Sequence, residues 1–334
     1  MKQQNQENKK AKRSEFLFCY DVRMANPNGD PDENRPRIDP VSGRNLVTEF
    51  RLKRTVRDYL HRHWNENSPN KIFIREEINE KGARQTIEEL ATPYITGEKK
   101  EKVINEETLI KDHIDIRLFG LLFAVEDIHF KKVGPVQFAI GQSLNKVTEL
   151  PIRITRIVPT KAEAKAGTFG EKSILRYSFI VFHGFLNNFA ADEVQLTEDD
   201  VTEMMQGVWH GTNELSTTSK YGQVSRLFIR INYKKPTSYI GDLDRYIHLE
   251  PANDKVDLDK LDDISQLVLN INQLLNILES NKGEIESLEY VASNDLIVKY
   301  DDTKGDAQTI LKGWSAKNKE ATLTNLLEYW RSKK

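Results

Sequence analysis

Residues Glu15 to Val22 alternate with a period of two: Phe16, Phe18, Tyr20 and Val22 fall on one side, and Glu15, Leu17, Cys19 and Asp21 on the other. Such a run reads as a strand. A second strand is expected over Arg226–Tyr233, where Leu227, Ile229, Ile231 and Tyr233 point one way and Arg226, Phe228, Arg230 and Asn232 the other. Between them lie a helix over about Thr48–Trp64, a strand over Pro135–Leu144, an apolar strand over Ile174–His183 and a helix over Thr197–His210. Thr48 is placed to cap the first helix, and Leu52, Val56, Tyr59 and Leu60 form its apolar stripe. With its insertions removed, the order is βαββαβ, the ferredoxin-like or RRM-like unit, so the fold class is α+β.

Two stretches interrupt that unit. Residues 65–115 are polar and charged and read as a partly helical insertion, followed by a compact apolar piece over Asp115–Val125, and Pro151–Lys172 is basic and loop-like. Residues 1–13 read as a mobile basic tail. Beyond Asp257 the spacing of Leu261, Ile264, Leu267, Val268, Ile271, Leu274, Leu275 and Leu278 predicts one long helix, and Leu323, Leu326, Leu327 and Trp330 predict another over about Ala321–Lys333. No run of ~18 apolar residues suggests a membrane span. The N-terminus lacks the apolar core of a secretory leader, and the single cysteine, Cys19, suits a reducing compartment. A cytoplasmic location is therefore expected.

The formal net charge of −2 hides strong segregation. Residues 131–178 hold nine basic and three acidic side chains, and 216–235 hold five basic and none acidic. Residues 187–215 carry seven acidic side chains and no basic one, and 251–334 carry eleven basic and fifteen acidic. Basic clusters of this kind suit a polyanion, because phosphate neutralisation releases counterions. In the first helix, Arg54, Arg57 and His61 share one sector and Lys53 flanks it. A phosphate also fits the free N–H groups at its Thr48 end.

Catalytic constellations are sparse. The run Asp30-x-Asp32-x-Asn34 begins like a calcium loop, but Arg35 stands where that loop needs glycine and Val41 where it needs glutamate. An acidic loop after a first strand can also hold Mg²⁺ for RNA cleavage, which keeps Asp30 and Asp32 as a ribonuclease alternative. His61 and His63 diverge on their helix, no cysteine pair exists for zinc, and Gly167–Ser173 lacks the Gly-Lys-Ser order of a phosphate loop. No metal site and no cofactor are expected. Phe169, between Thr168 and Gly170, is a candidate to stack on a base.

Five stretches occur in an order that resembles one family. They are Cys19–Asp32 with Pro36–Asp39, Val47–Arg57, Asp115–Gly120, Gly134–Gly141 and Thr217–Gln223. Together they resemble the Cas7-type backbone subunit of CRISPR Cascade complexes, a member of the RAMP superfamily, and the subtype I-B branch in particular. The resemblance covers residues 14–235. It implies a hand-shaped protein: an RRM-like palm over 14–64, 131–149 and 174–250, a helical finger over 65–130, a β-hairpin thumb over 150–173, and a C-terminal helical extension over 251–334. It implies a non-catalytic subunit that lines up head to tail with its own copies along CRISPR RNA, beside other Cascade subunits, with target DNA read through guide pairing. By that likeness Thr48, Lys53 and Arg57 contact RNA from the first helix, where Arg54 is a further candidate from its sector, with Gln142, Ser143, Asn145 and Lys146 and then Ser219 and Lys220 in the same groove. Phe169 lies near the thumb tip. Where the family often has Gln, this chain has Phe50. A protein-only scaffold is the remaining alternative.

Overall fold

The computed structural model describes residues 9–64, 68–79, 82–97, 102–125, 128–155, 169–318 and 322–332. One large sheet organises them. In chain order its strands and flanking helices are β1 (Ser14–Ala25), β2 (Arg44–Val47), α1 (Glu49–His63), β3 (Val136–Phe138), β4 (Gly141–Lys146), β5 (Glu149–Thr155), β6 (Phe169–Leu186), α2 (Glu198–Asn213), β7 (Gln223–Tyr233), β8 (Ile285–Ala292) and β9 (Thr322–Asn325). The strands run β9-β8-β7-β1-β6-β4-β2, with β3 and β5 also paired to β6. β1 is antiparallel to both β6 and β7, and β6 is antiparallel to β4.

The alternation in β1 sorts its side chains into two cores. Phe16, Phe18, Tyr20 and Val22 pack with Leu52, Val56 and Leu60 of α1 and Val201, Met204, Met205 and Val208 of α2. Leu17 and Cys19 face the opposite side, with Tyr177, Phe179, Ile229 and Ile231. There the C-terminal region covers them through Leu267, Leu269, Leu274, Leu275 and Leu278. Burial pushes the Cys19 thiol far above its ordinary range, so it behaves as a small core residue.

The C-terminal region departs from the expected long helix. Asp263 and Gln266 form a capping box around a short 3-10 turn at Ile264–Gln266, the chain then extends as a strand over Leu267–Asn270, and only Asn272–Ser280 is α-helical. The strand joins a small sheet with His248–Pro251, Ile297–Tyr300 and Thr303–Asp306. All four residues Leu267–Asn270 are buried, and a short run buried on both sides satisfies a strand as well as a helix stripe. The last helix likewise begins later than expected, at Leu326, because Thr322–Asn325 pair in parallel with β8.

The N-terminal expectation also changes. Ala11 is buried and donates its N–H to Leu196 O at 3.0 Å, and the Arg13 guanidinium lies 4.6 Å from the Phe185 ring centroid. Residues 9–13 are thus packed, not a tail, and residues 1–8 lie outside the described residues. The insertion after α1 has its own small core of Phe73, Leu109, Ile116, Phe123 and Phe130. Over 150–173, β5 and the start of β6 pair from Glu149↔Leu175 to Thr155↔Phe169. The expected tip, 156–168, lies outside the described residues. No described helix is long and apolar enough to cross a membrane.

Candidate nucleic-acid interface

The loop between β1 and β2 is the organiser of this region. Asn26 donates its N–H to Ser219 O at 2.8 Å and its side-chain amide to Asn34 O at 2.7 Å. Two residues on, Asn28 Oδ1 accepts from both Thr48 N (2.9 Å) and Thr48 Oγ1 (3.0 Å). One loop therefore ties the N-terminus of α1 to the 217–222 loop. Gly29 has no room for a Cβ, which would meet Asn34 Oδ1 at 2.0 Å. Asp30 Oδ1 accepts from the N–H groups of Asp32 (3.0 Å), Glu33 (2.7 Å) and Asn34 (3.1 Å), which holds its carboxyl below the ordinary range. Its role here is to close a turn. Among the described residues, no three His, Cys, Asp or Glu side chains are grouped to hold a metal ion.

The expected contacts on α1 fall into a consistent pattern. Thr48 is the N-cap, its hydroxyl accepting from Arg51 N at 3.4 Å. Lys53 is 7% exposed, and its Nζ donates to Gln137 Oε1 at 3.0 Å. Burial lowers its pKa. Arg54 is bonded to Asp58 (2.6 Å) and Glu76 (3.2 Å). Arg57 donates to Asp115 Oδ2 at 2.9 Å, and that buried carboxylate also accepts from the N–H groups of Phe73 and Ile74. These three cations are held by acceptors of the same chain.

On β4, Ser143 and Asn145 face inward. The Ser143 hydroxyl donates to Asn145 O at 2.6 Å and accepts from Asn45 N at 2.8 Å. Asn145 Oδ1 accepts from Phe179 N, and its amide donates to Lys146 O. Both side chains hold strands together. Gln142 is half-buried, paired across to Leu46 and Val181. Lys146 is exposed and lies 3.3 Å from Asp259. Phe169 opens β6 opposite Thr155.

Arg51 and Lys220 differ from all of these. The Arg51 charge acts on the Lys220 ammonium, and among the described residues neither forms an ion pair. Arg51 Nε is buried without a protein acceptor, beside Tyr20. Burial, then the Arg51 charge, push the Lys220 pKa down to about 8. Sequence reading gave Lys220 but not Arg51, whose position depends on how α1 crosses β1. Of the five basic residues in 216–235, the others are engaged. Arg226 lies 2.9 Å from Asp21, Arg230 lies 2.8 Å from Glu198, Lys234 donates to Gly283 O, and Lys235 lies 2.7 Å from Glu284. The acidic stretch 187–215 is engaged within the chain: Glu198 holds Arg230, and Asp200 holds Arg117 at 2.8 Å.

Residues 12–271 match the family model of CRISPR-associated protein Cas7. A curated relative, CRISPR-associated protein Cas7 of Haloferax volcanii, is 27% identical over 310 residues, which span 85% of this chain and 88% of that protein. Among solved structures, a chain of a "CRISPR RNA-guided surveillance complex, pre-nicking" is similar at 13% identity and a TM-score of 0.49, over 91% of this chain and 99% of that one. A chain of a second "CRISPR RNA-guided surveillance complex" is similar at 14% identity and a TM-score of 0.45, over 90% and 99% of the two chains.

Proposed function

This chain belongs to the CRISPR-associated Cas7 family, and from that premise we propose that it is the non-catalytic, CRISPR RNA-binding backbone subunit of a type I, I-B-like Cascade complex. In this reading copies of the chain stack head to tail along the guide RNA, beside other Cascade subunits, and the guide reads target DNA by base pairing. The observation that carries it is the buried Arg51 Nε, which has no protein acceptor, together with Lys220, on whose ammonium the Arg51 charge acts. Two cations held together in a partly buried place repel each other, and one phosphate between them removes that repulsion. Thr48, Ser219, Gln142 and Lys146 extend the contact surface around the pair. Lys53, Arg54 and Arg57 hold α1 in place.

The strand order β7-β1-β6-β4 with α1 and α2 in one core supports the ferredoxin-like reading of the palm. The occupied Asp30 carboxylate supports a non-catalytic loop over the ribonuclease alternative. The test is purification of the chain from cells that also transcribe a CRISPR array. Wild-type protein is expected to carry short RNA, and the Arg51→Glu/Lys220→Glu variant to lose it. A folded wild-type protein free of RNA at every salt concentration overturns the reading.

A further inference from the structure

The 217–222 loop has two sides, and only one is used by Lys220. Tyr20 faces Arg51 on the helix side of β1, and Asp21, the next residue, faces the other side. On that second side a cavity of about 420 Å³ opens at the end of the sheet. Its floor is polar and buried: Tyr177 donates its hydroxyl to Asp21 Oδ2 at 2.8 Å, and Arg226 Nε lies 2.9 Å from Asp21 Oδ1. Its walls combine exposed Met24 (51% exposed) and Tyr221, which is 76% exposed and follows Lys220 directly, with Ile264 and the Arg23–Asp263 ion pair at 3.6 Å.

The cavity is held by unusual backbone. Gly222 has φ +99°, and a Cβ there would meet Arg23 O at 2.6 Å, while Gly222 O accepts from Arg23 N at 3.0 Å. Met24 has φ 51°, in the left-handed region that non-glycine residues rarely occupy. The close passage of the loop past the end of β1 turns Met24 outward toward Tyr221. Conformations of this kind cost free energy, and they persist where the surrounding structure imposes them.

We propose that this cavity is a nucleobase pocket, in which Tyr221 stacks on one base of the bound RNA and the Asp21–Tyr177–Arg226 floor meets its polar edge. The inference rests on the RNA-binding reading of Arg51 and Lys220 and adds to it a place for a base. Consecutive Cα atoms are about 3.8 Å apart, so Lys220 and Tyr221 lie within the span of one nucleotide. An exposed aromatic face beside a phosphate-binding cation is the arrangement by which single-stranded RNA is held without duplex pairing. The floor supplies a carboxylate, a phenol and a guanidinium that line the cavity, and its volume accommodates a purine or a pyrimidine.

The experiment measures the affinity of wild type, Tyr221→Ala and Tyr221→Phe for a short unstructured RNA, and for the same RNA carrying an abasic site moved along it. Tyr221→Ala is expected to weaken binding by roughly tenfold, with the salt dependence of wild type, because no phosphate contact is lost. Tyr221→Phe is expected to bind like wild type, which also shows that the fold is intact. At one position the abasic RNA is expected to bind wild type and Tyr221→Ala equally. Wild-type RNA binding with no loss in Tyr221→Ala overturns the pocket and leaves the Arg51–Lys220 reading standing. A loss that is equal at every abasic position, accompanied by weaker association between copies, assigns the patch to a protein contact and also overturns it. Absence of RNA binding by wild type removes both readings together.

Discussion

Arg57 and Arg51 lie less than two turns apart on α1, yet their environments are opposite. Arg57 is 12% exposed and lies 2.9 Å from the Asp115 carboxylate, which two backbone N–H groups also hold. Arg51 has a buried Nε without a protein acceptor and faces the like charge of Lys220. The first cation stabilises the attachment of the 68–125 insertion to α1. The second leaves unbalanced positive charge on the other side of the same helix. A run of basic residues in sequence thus mixes framework and interface, and the distinction lies in where the acceptors are.

The largest effect separates these two roles. Asp115→Ala strands the buried Arg57 charge and leaves the N–H groups of Phe73 and Ile74 without their acceptor, so it is expected to cost about 3–5 kcal/mol in stability, read by denaturant unfolding. The RNA affinity of the folded fraction should hold. A large affinity loss with unchanged stability would move Arg57 to the interface side. Next, Arg51→Glu with Lys220→Glu is expected to lower RNA affinity by roughly 100-fold, at about 1.4 kcal/mol per lost charge-assisted contact, while the thermal midpoint stays level or rises. A collapse of stability instead would make the pair structural.

Thr48→Ala tests the link between the loop and the helix. It removes the N-cap and one of the two bonds to Asn28, and about 1 kcal/mol of stability is expected to go with them. An unchanged denaturation midpoint would show that Asn28 alone suffices. The smallest effect is in pH. Lys220 must be charged to hold a phosphate, and in the free protein it titrates at about 8. RNA affinity is therefore expected to be full below that pH and to fall a few-fold between pH 7 and 9, a fall absent in Lys220→Gln. The stability of the free protein runs the other way. Unfolded lysine titrates near 10.4, so between about 8 and 10.4 the unfolded state binds more protons, and stability from this group rises with pH. A wild-type affinity flat over that range would place Lys220 away from phosphate.

Much of the large sheet and its two helices was legible in the sequence because these elements carry clean periods. The alternation in β1 and the stripe Leu52, Val56, Leu60 admit one packing each. The C-terminal helix was misread because Leu267, Val268, Ile271, Leu274 and Leu275 suit a helix stripe and equally a strand followed by a shorter helix. At the site, Lys220 and Thr48 were visible, but the partners that claim Lys53 and Arg57 were not, since Gln137 and Asp115 come from distant segments. Arg51 was passed over inside a run of four basic residues over 51–57. The signal that pointed to it was local: Asn28 in the turn-rich loop is two residues from Asn26, and together they bind Thr48 and Ser219. The place of Asp30 before Pro31 suits the turn that its carboxylate closes.

The salt dependence of RNA binding tests the division most directly. For single-stranded RNA each lost phosphate contact makes the slope of log K against log salt shallower by about 0.7. The account predicts a slope shallower by about 0.7 in Arg51→Gln/Lys220→Gln, which together lose one phosphate, and an unchanged slope in Lys53→Gln/Arg54→Gln. The reverse result, with the slope lost at Lys53 and Arg54 and kept at Arg51 and Lys220, would contradict it.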